Sequence, residues 1–169
     1  MLQKYRQSGF TLAEILMVVV ILAIAAAIIV PAMADTEEFI LNSAAIDLNN
    51  ALTYAQTQSI ATGKIHRVVF SSDDQTVTIQ IQNNDLSYGT IKHPITKQDY
   101  QMSFGEPSYA GIAMENIDFD AGDYLLYDGM ARPYSDVGVD LADGSVELTG
   151  KELSRKITVQ PVTGKITIE

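Results

Sequence analysis

The sequence predicts an α+β protein in which a long N-terminal helix precedes an antiparallel, β-rich domain. An apolar segment continues into a helical repeat that ends near residue 63, and the residues after it change to the alternating pattern of strands. Runs of strands that follow a single helical segment are typical of α+β chains. The 169 residues suffice for about one domain with an extension.

The apolar segment predicts a membrane-spanning helix over residues 10–34. Residues 15–34 carry no charge, a run of 20 residues, and at about 1.5 Å rise per residue this length matches a hydrocarbon core of about 30 Å. Lys4 and Arg6 precede the segment without an acidic neighbour. The positive-inside rule therefore keeps the N-terminus cytoplasmic and places the remainder of the chain outside the cytoplasm.

Three processing routes remain open for this segment. The helix is retained as an uncleaved anchor, or a signal peptidase cuts after Ala34, within an A-x-A pattern, and releases a soluble secreted binding module. The third route is cleavage after Gly9, which retains the helix and creates a new α-amino group on Phe10. The length of the apolar run, which exceeds the usual signal-peptide core of about 7 to 15 residues, argues against the second route.

Glu14 is the one ionisable side chain between residues 10 and 34. A carboxylate at the end of a membrane helix is costly, and its partner should be sought. The amino group of Phe10 is such a partner, because Glu14 of an adjacent subunit would neutralise it and set the register between packed helices. The alternative is that Glu14 only reaches towards the membrane interface.

The helical repeat over residues 35–63 predicts a stalk helix with one buried face, and Gly63 is placed to terminate it. The face consists of residues spaced alternately by four and three, namely Leu41, Ala45, Leu48, Leu52, Ala55 and Ser59. Residues 64–169 form the β-rich head. We expect strands at 65–70, 76–82, 117–119, 124–127, 137–141, 146–148, 156–160 and 165–168, and a long loop over 83–107 with one strand near 101–104.

The segment Gly9-Phe10-Thr11-Leu12-Ala13-Glu14, followed by the apolar helix, resembles the class III signal of type IV pilins and type II secretion pseudopilins. The resemblance implies that residues 1–9 are a leader, that a prepilin peptidase cuts after Gly9 and methylates Phe10, and that assembly depends on Phe10 and Glu14. Pro31 matches the proline that kinks the helix in this family. The fold implied is pilin-like.

Within this superfamily the head resembles the H-type minor pseudopilins and the FimT-like minor pilins. The resemblance rests on residues 51–63 with the strand that follows, on Tyr127-Asp128-Gly129, and on the final hairpin with Gly164. It implies a minor subunit anchored in a bacterial inner membrane with a periplasmic head, whose partners are other pilin-like subunits. The function implied is type II protein secretion, and the alternative is pilus assembly or DNA uptake.

The charge balance argues against nucleic acid as a partner. Beyond Ala34 the chain has 9 basic and 20 acidic residues, whereas binding to phosphates requires a basic surface. A small basic patch near the C-terminus is the exception, and it comprises Lys151, Arg155, Lys156 and Lys165.

Neither enzyme activity nor a cofactor is expected. The chain has no cysteine and two histidines, and it lacks the nucleophile-elbow, P-loop and zincin motifs. The only candidates for a metal, which would be calcium, are Asp118, Asp120 and Asp123, but they lack the order of an EF-hand loop. We favour the interpretation that these carboxylates accept hydrogen bonds from backbone groups in turns.

Overall fold

The computed structural model describes residues 11–32, 35–120 and 122–169, without the side chains of 28–32 and 35–36. The chain divides into two compact units, Met1–Thr36 and Glu37–Glu169. The helices are α1 (Leu12–Ala32) and α2 (Asp35–Thr62). Residues 33–34 lie outside the described residues, so a single helix from 11 to 62 stays a prediction.

Among the residues that the structure describes, none of the helices combines the length and the apolar character needed to cross a membrane. The predicted span also includes residues 10, 33 and 34, which the structure does not describe. Its boundaries at 10 and 34 stay predictions.

The head contains two antiparallel sheets. The first has seven strands, in the order β3-β2-β1-β6-β7-β8 with β4 also paired to β2, and the second has four, in the order β11-β10-β9-β5. The strands are β1 (His66–Ser71), β2 (Thr76–Gln82), β3 (Tyr88–Thr90), β4 (Gln101–Ser103), β5 (Ala113–Phe119), β6 (Tyr124–Tyr127), β7 (Pro133–Asp136), β8 (Val139–Asp140), β9 (Gly144–Thr149), β10 (Ser154–Val159) and β11 (Ile166–Ile168). The α+β fold that the sequence predicts is therefore confirmed.

One face of α2 forms the centre of the core. All six residues of the predicted stripe are at most 1 % exposed, and Ala44 and Ala51 are buried beside them. All of these residues except Ser59 share one cluster with inward-facing residues of both sheets, such as Val68 and Ile79 of the first and Val146 and Ile157 of the second. Alanines at this interface let the strands approach the helix closely, which is how a small domain reaches the packing density of a protein interior.

The end of α2 agrees with the sequence prediction. Gly63 follows the last helical residue with φ +63°, and its N–H donates to the carbonyl of Ser59 at 2.9 Å. Glycine adopts this left-handed conformation without the steric cost of a Cβ atom. The chain then turns directly into β1.

Three features of the sheets differ from the predictions. β3 lies inside the segment 83–107, for which a loop was predicted. It was not expected because it is three residues long and too short to show an alternating pattern. β7 was also missed, because it begins at Pro133, and proline is tolerated in a sheet at the first position of a strand. The predicted strand 137–141 shrinks to Val139–Asp140, because Gly138 with φ +79° belongs to the turn between β7 and β8.

Candidate functional site

The first turn of α1 contains a reciprocal cap between Thr11 and Glu14. One carboxylate oxygen of Glu14, Oε2, accepts hydrogen bonds from the Thr11 N–H at 2.9 Å and from the Thr11 hydroxyl at 3.0 Å. The Thr11 hydroxyl in turn accepts the Glu14 N–H at 3.3 Å. This is a capping box, which supplies partners to backbone N–H groups that the first turn of a helix leaves unpaired.

The capping role of Glu14 goes beyond the prediction from the sequence, although the sequence contains a signal for it. The spacing Thr-x-x-Glu directly before an apolar run is the signature of a capping box. Gly9 and Phe10, the predicted processing residues, lie outside the described residues. Pro31 is the penultimate residue of α1, and its role as a kink stays a prediction.

The start of α2 is fastened to the β9–β10 turn. Oε1 of Glu37 accepts hydrogen bonds from the backbone N–H of Lys151 and, at 3.3 Å, of Glu152. Nearby, the Arg155 guanidinium donates to the Asn42 side chain at 3.0 Å and lies 3.5 Å from the Glu38 carboxylate. Arg155, a member of the predicted basic patch, therefore has an acidic partner on α2.

Two further polar contacts hold α2 along its length. The Tyr109 hydroxyl donates to the Asp47 carboxylate at 2.9 Å, and burial, followed by this hydrogen bond, raises the pKa of Tyr109 to about 12. Nearer the end of the helix, Gln56 Nε2 donates to the carbonyls of Ala131 at 3.2 Å and Gly164 at 3.4 Å. The last contact joins the β6–β7 and β10–β11 turns to the helix.

The segment Tyr127-Asp128-Gly129 has a clear structural role at the end of β6. Oδ1 of Asp128 accepts the N–H groups of Met130 and Arg132, both at 2.9 Å, and so closes the turn. A Cβ atom at Gly129 would lie 3.1 Å from the Cα of Gly63. The aspartate therefore shapes the turn, and the glycine lets it approach the end of α2.

The three acidic residues considered for calcium lie in or next to β5 and the turn after it. Asp120 accepts the backbone N–H groups of Ala142 at 2.9 Å and Asp143 at 3.0 Å, and the Ala142 donor contributes most to lowering the pKa of Asp120. Asp120 thus behaves as the turn interpretation predicts. Among the described residues, no group of three His, Cys, Asp or Glu side chains could hold a metal ion.

The two histidines serve local structure in separate places. His66 on β1 is 1 % exposed, and its Nδ1 lies 3.1 Å from the carbonyl of Lys64. Nδ1 of His93 accepts the N–H groups of Ile95 and Thr96, both at 3.2 Å. Burial lowers the pKa of His66 below its ordinary value of 6.5.

Comparisons with known proteins reproduce both the motif and the fold. Residues 4–30 match the family described as the prokaryotic N-terminal methylation motif. In fold, 76 % of the chain aligns with 95 % of the minor pseudopilin EpsH from the type 2 secretion system of Vibrio cholerae, with a TM-score of 0.57 and 13 % identity. Likewise, 79 % of the chain aligns with 91 % of the type IV minor pilin FimU of Pseudomonas aeruginosa, with a TM-score of 0.55 and 19 % identity. No curated protein matches the sequence.

The buried His66 predicts a pH dependence of stability. Because its pKa is lowered in the folded state, the unfolded chain binds a proton that the folded chain does not, so the free energy of unfolding falls as the pH drops below about 6.5. We expect His66→Gln to flatten this dependence between pH 7 and 5, measured by thermal unfolding of the full chain in detergent. An unchanged slope in the variant would contradict this account.

Proposed function

We propose that this chain is a minor subunit of a type II secretion pseudopilus. Its N-terminal methylation motif and its fold are those of the type IV pilin and pseudopilin superfamily, in which it resembles the H-type subunits. The observation that supports the proposal most is the combination of two features in one chain. The methylation motif covers residues 4–30, and 76 % of the chain has the fold of a minor pseudopilin.

In this proposal a prepilin peptidase removes residues 1–9 and methylates Phe10. Residues 10–34 anchor the subunit in the bacterial inner membrane, and the head, residues 64–169, lies in the periplasm at the end of the stalk helix 35–63. The apolar side chains of α1 from Leu12 to Ile24 are largely exposed in the single chain. A helix that is apolar on all sides needs lipid or neighbouring helices to cover it, as a bundle of pilin-like subunits would.

The capping hydrogen bonds of Glu14 leave its carboxylate able to make a further contact in this assembly. Both hydrogen bonds from Thr11 use Oε2 of the carboxylate. Oε1 accepts no hydrogen bond from the residues that the structure describes. The carboxylate can therefore cap its own helix and still accept the α-amino group of Phe10 from an adjacent subunit, which supplies the partner that a charge in a membrane requires.

The mature N-terminus tests the processing step. We expect the protein purified from its native membrane to begin at N-methylated Phe10, as measured by intact mass and N-terminal peptide sequencing. A start at Asp35 would instead indicate a soluble secreted binding module and would overturn the filament proposal.

Substitutions at the cap separate the two roles of Glu14. We expect Glu14→Ala and Glu14→Gln to be processed and inserted normally but to enter filaments poorly, because both variants lack the charge that pairs with Phe10. Glutamine retains the capping geometry, so Glu14→Gln isolates the charge. Thr11→Val removes the capping hydroxyl and retains the charge, and we expect it to be incorporated. Incorporation is measured by immunoblotting of sheared filaments.

The reverse pattern, with normal incorporation of Glu14→Gln and failure of Thr11→Val, would show that only the cap matters. Intact-mass measurement of each variant controls for altered cleavage near Phe10.

The second candidate function is that of a minor type IV pilin in pilus assembly or DNA uptake, and the likeness to FimU favours it. The excess of acidic residues argues against the DNA-binding version. Deletion of the gene in its host separates the candidates. We expect loss of exoprotein secretion with surface pili retained, measured in culture supernatants and by electron microscopy, whereas loss of pili with normal secretion would favour the second function.

A further inference from the structure

The outer face of the seven-stranded sheet, away from α2, carries a groove. Its cavity volume is about 280 Å³, and a neighbouring depression of about 200 Å³ shares Leu126 and Val137 with it. The groove is lined by tyrosines, aliphatic side chains and a cation, chiefly Arg67, Leu86, Tyr88, Tyr124, Leu126 and Val137. Tyrosine and arginine are the residue types that contribute most to binding at protein interfaces.

The strand register builds the floor of the groove. Arg67 on β1 lies opposite Gln80 on β2 and Leu126 on β6, and Leu126 lies opposite Tyr134 on β7. Because side chains alternate across a sheet, and Val68 next to Arg67 belongs to the core, this row faces away from the core.

The Arg67 side chain is held in a fixed position. Its Nε and Nη2 donate to Oε1 of Gln80 at 3.0 and 2.6 Å. The guanidinium carbon lies 4.0 Å from the ring centroid of Tyr88 and 5.6 Å from that of Tyr124. A guanidinium fixed in this way loses little further conformational entropy when it binds a ligand.

Arg67 forms no ion pair with any carboxylate in the described part of the chain. Arg132 and Arg155, in contrast, pair with Asp140 and Glu38. Asp136 also lines the groove; its Oδ1 accepts the N–H of Val137 at 2.7 Å, and it forms no ion pair with Arg67 among the described residues. Arg67 is therefore an ordered cation without an ion pair in the part that the structure describes, in a chain that has 20 acidic and 9 basic residues beyond Ala34.

We infer that this groove receives an aspartate or glutamate side chain, together with an adjoining apolar side chain, from a partner protein. The carboxylate would accept the remaining guanidinium N–H groups of Arg67. The apolar side chain would cover Leu86 and Val137, which are 73 % and 60 % exposed at the rim. The inference goes beyond the filament proposal and does not depend on it, since every residue of the groove lies in the unit Glu37–Glu169.

The test titrates the full chain in zwitterionic micelles with Nα-acetyl-leucyl-aspartic acid amide and with its neutral isostere, the asparagine peptide. We expect saturable NMR shifts confined to the Arg67 Nε–Hε group and to the methyl groups of Leu126 and Val137. The asparagine peptide should bind about fivefold more weakly or worse, since it lacks the charge-assisted hydrogen bonds. Equal binding of the two peptides would overturn the inference, as would equal binding of inorganic phosphate.

Two variants localise the effect. Arg67→Lys retains the charge but loses the planar fork, and we expect it to weaken binding of the aspartate peptide several-fold. The matched control is Arg155→Lys, at an arginine that already pairs with Glu38, and it should leave binding unchanged. Val137→Ser, at an exposed position with little risk to folding, removes part of the apolar rim, and we expect it to weaken binding of the aspartate peptide as well; unchanged binding would overturn the apolar part of the inference. Equal losses in the Arg67 and Arg155 variants would indicate general charge attraction and overturn the inference.

Discussion

The burial of one face of α2 by both sheets at once is the constraint on which the head depends. The two sheets share no ladder of hydrogen bonds among the described strands. Their relative position therefore depends on the side chains that pack between them and against α2. The alanine-rich face of α2 packs against residues of both sheets, and the stacked rings of Phe70 and Phe119, with centroids 4.9 Å apart, join the sheets directly. A larger side chain on this face would separate strands from helix along both sheets, since well-packed interiors tolerate added volume poorly.

Polar contacts then determine which loops cover which part of the helix. Glu37, Asp47 and Gln56 follow one another along α2, and each reaches a different segment of the β-rich region. Their partners are separated from them by 62 to 115 residues in sequence. Most of these bonds use backbone groups of turns, which must find partners when they are shielded from water. The helix thus serves as a scaffold for the turns as well as for the core.

The elements with strong periodicity could be predicted from local patterns in the sequence. The buried stripe of α2, the cap at Gly63 and the strands β2 and β6 follow from residue spacing alone, and the structure confirms them. β3 and β7 could not be predicted because they are short and exist through pairing with neighbours. The surroundings of Arg67 depend on the register of distant strands, which no local pattern encodes. The cap at Thr11 and Glu14 was readable from its spacing, and the prediction for Glu14 considered the charge alone.

The clamp formed by Glu37 and Arg155 has a mechanical consequence. It sits at the first turns of α2, where any tension transmitted along the helix enters the head. The clamp joins α2 to the turn between β9 and β10, and β10 pairs with both β9 and β11, so a force applied there would be shared by the hydrogen-bonded strands of the four-stranded sheet.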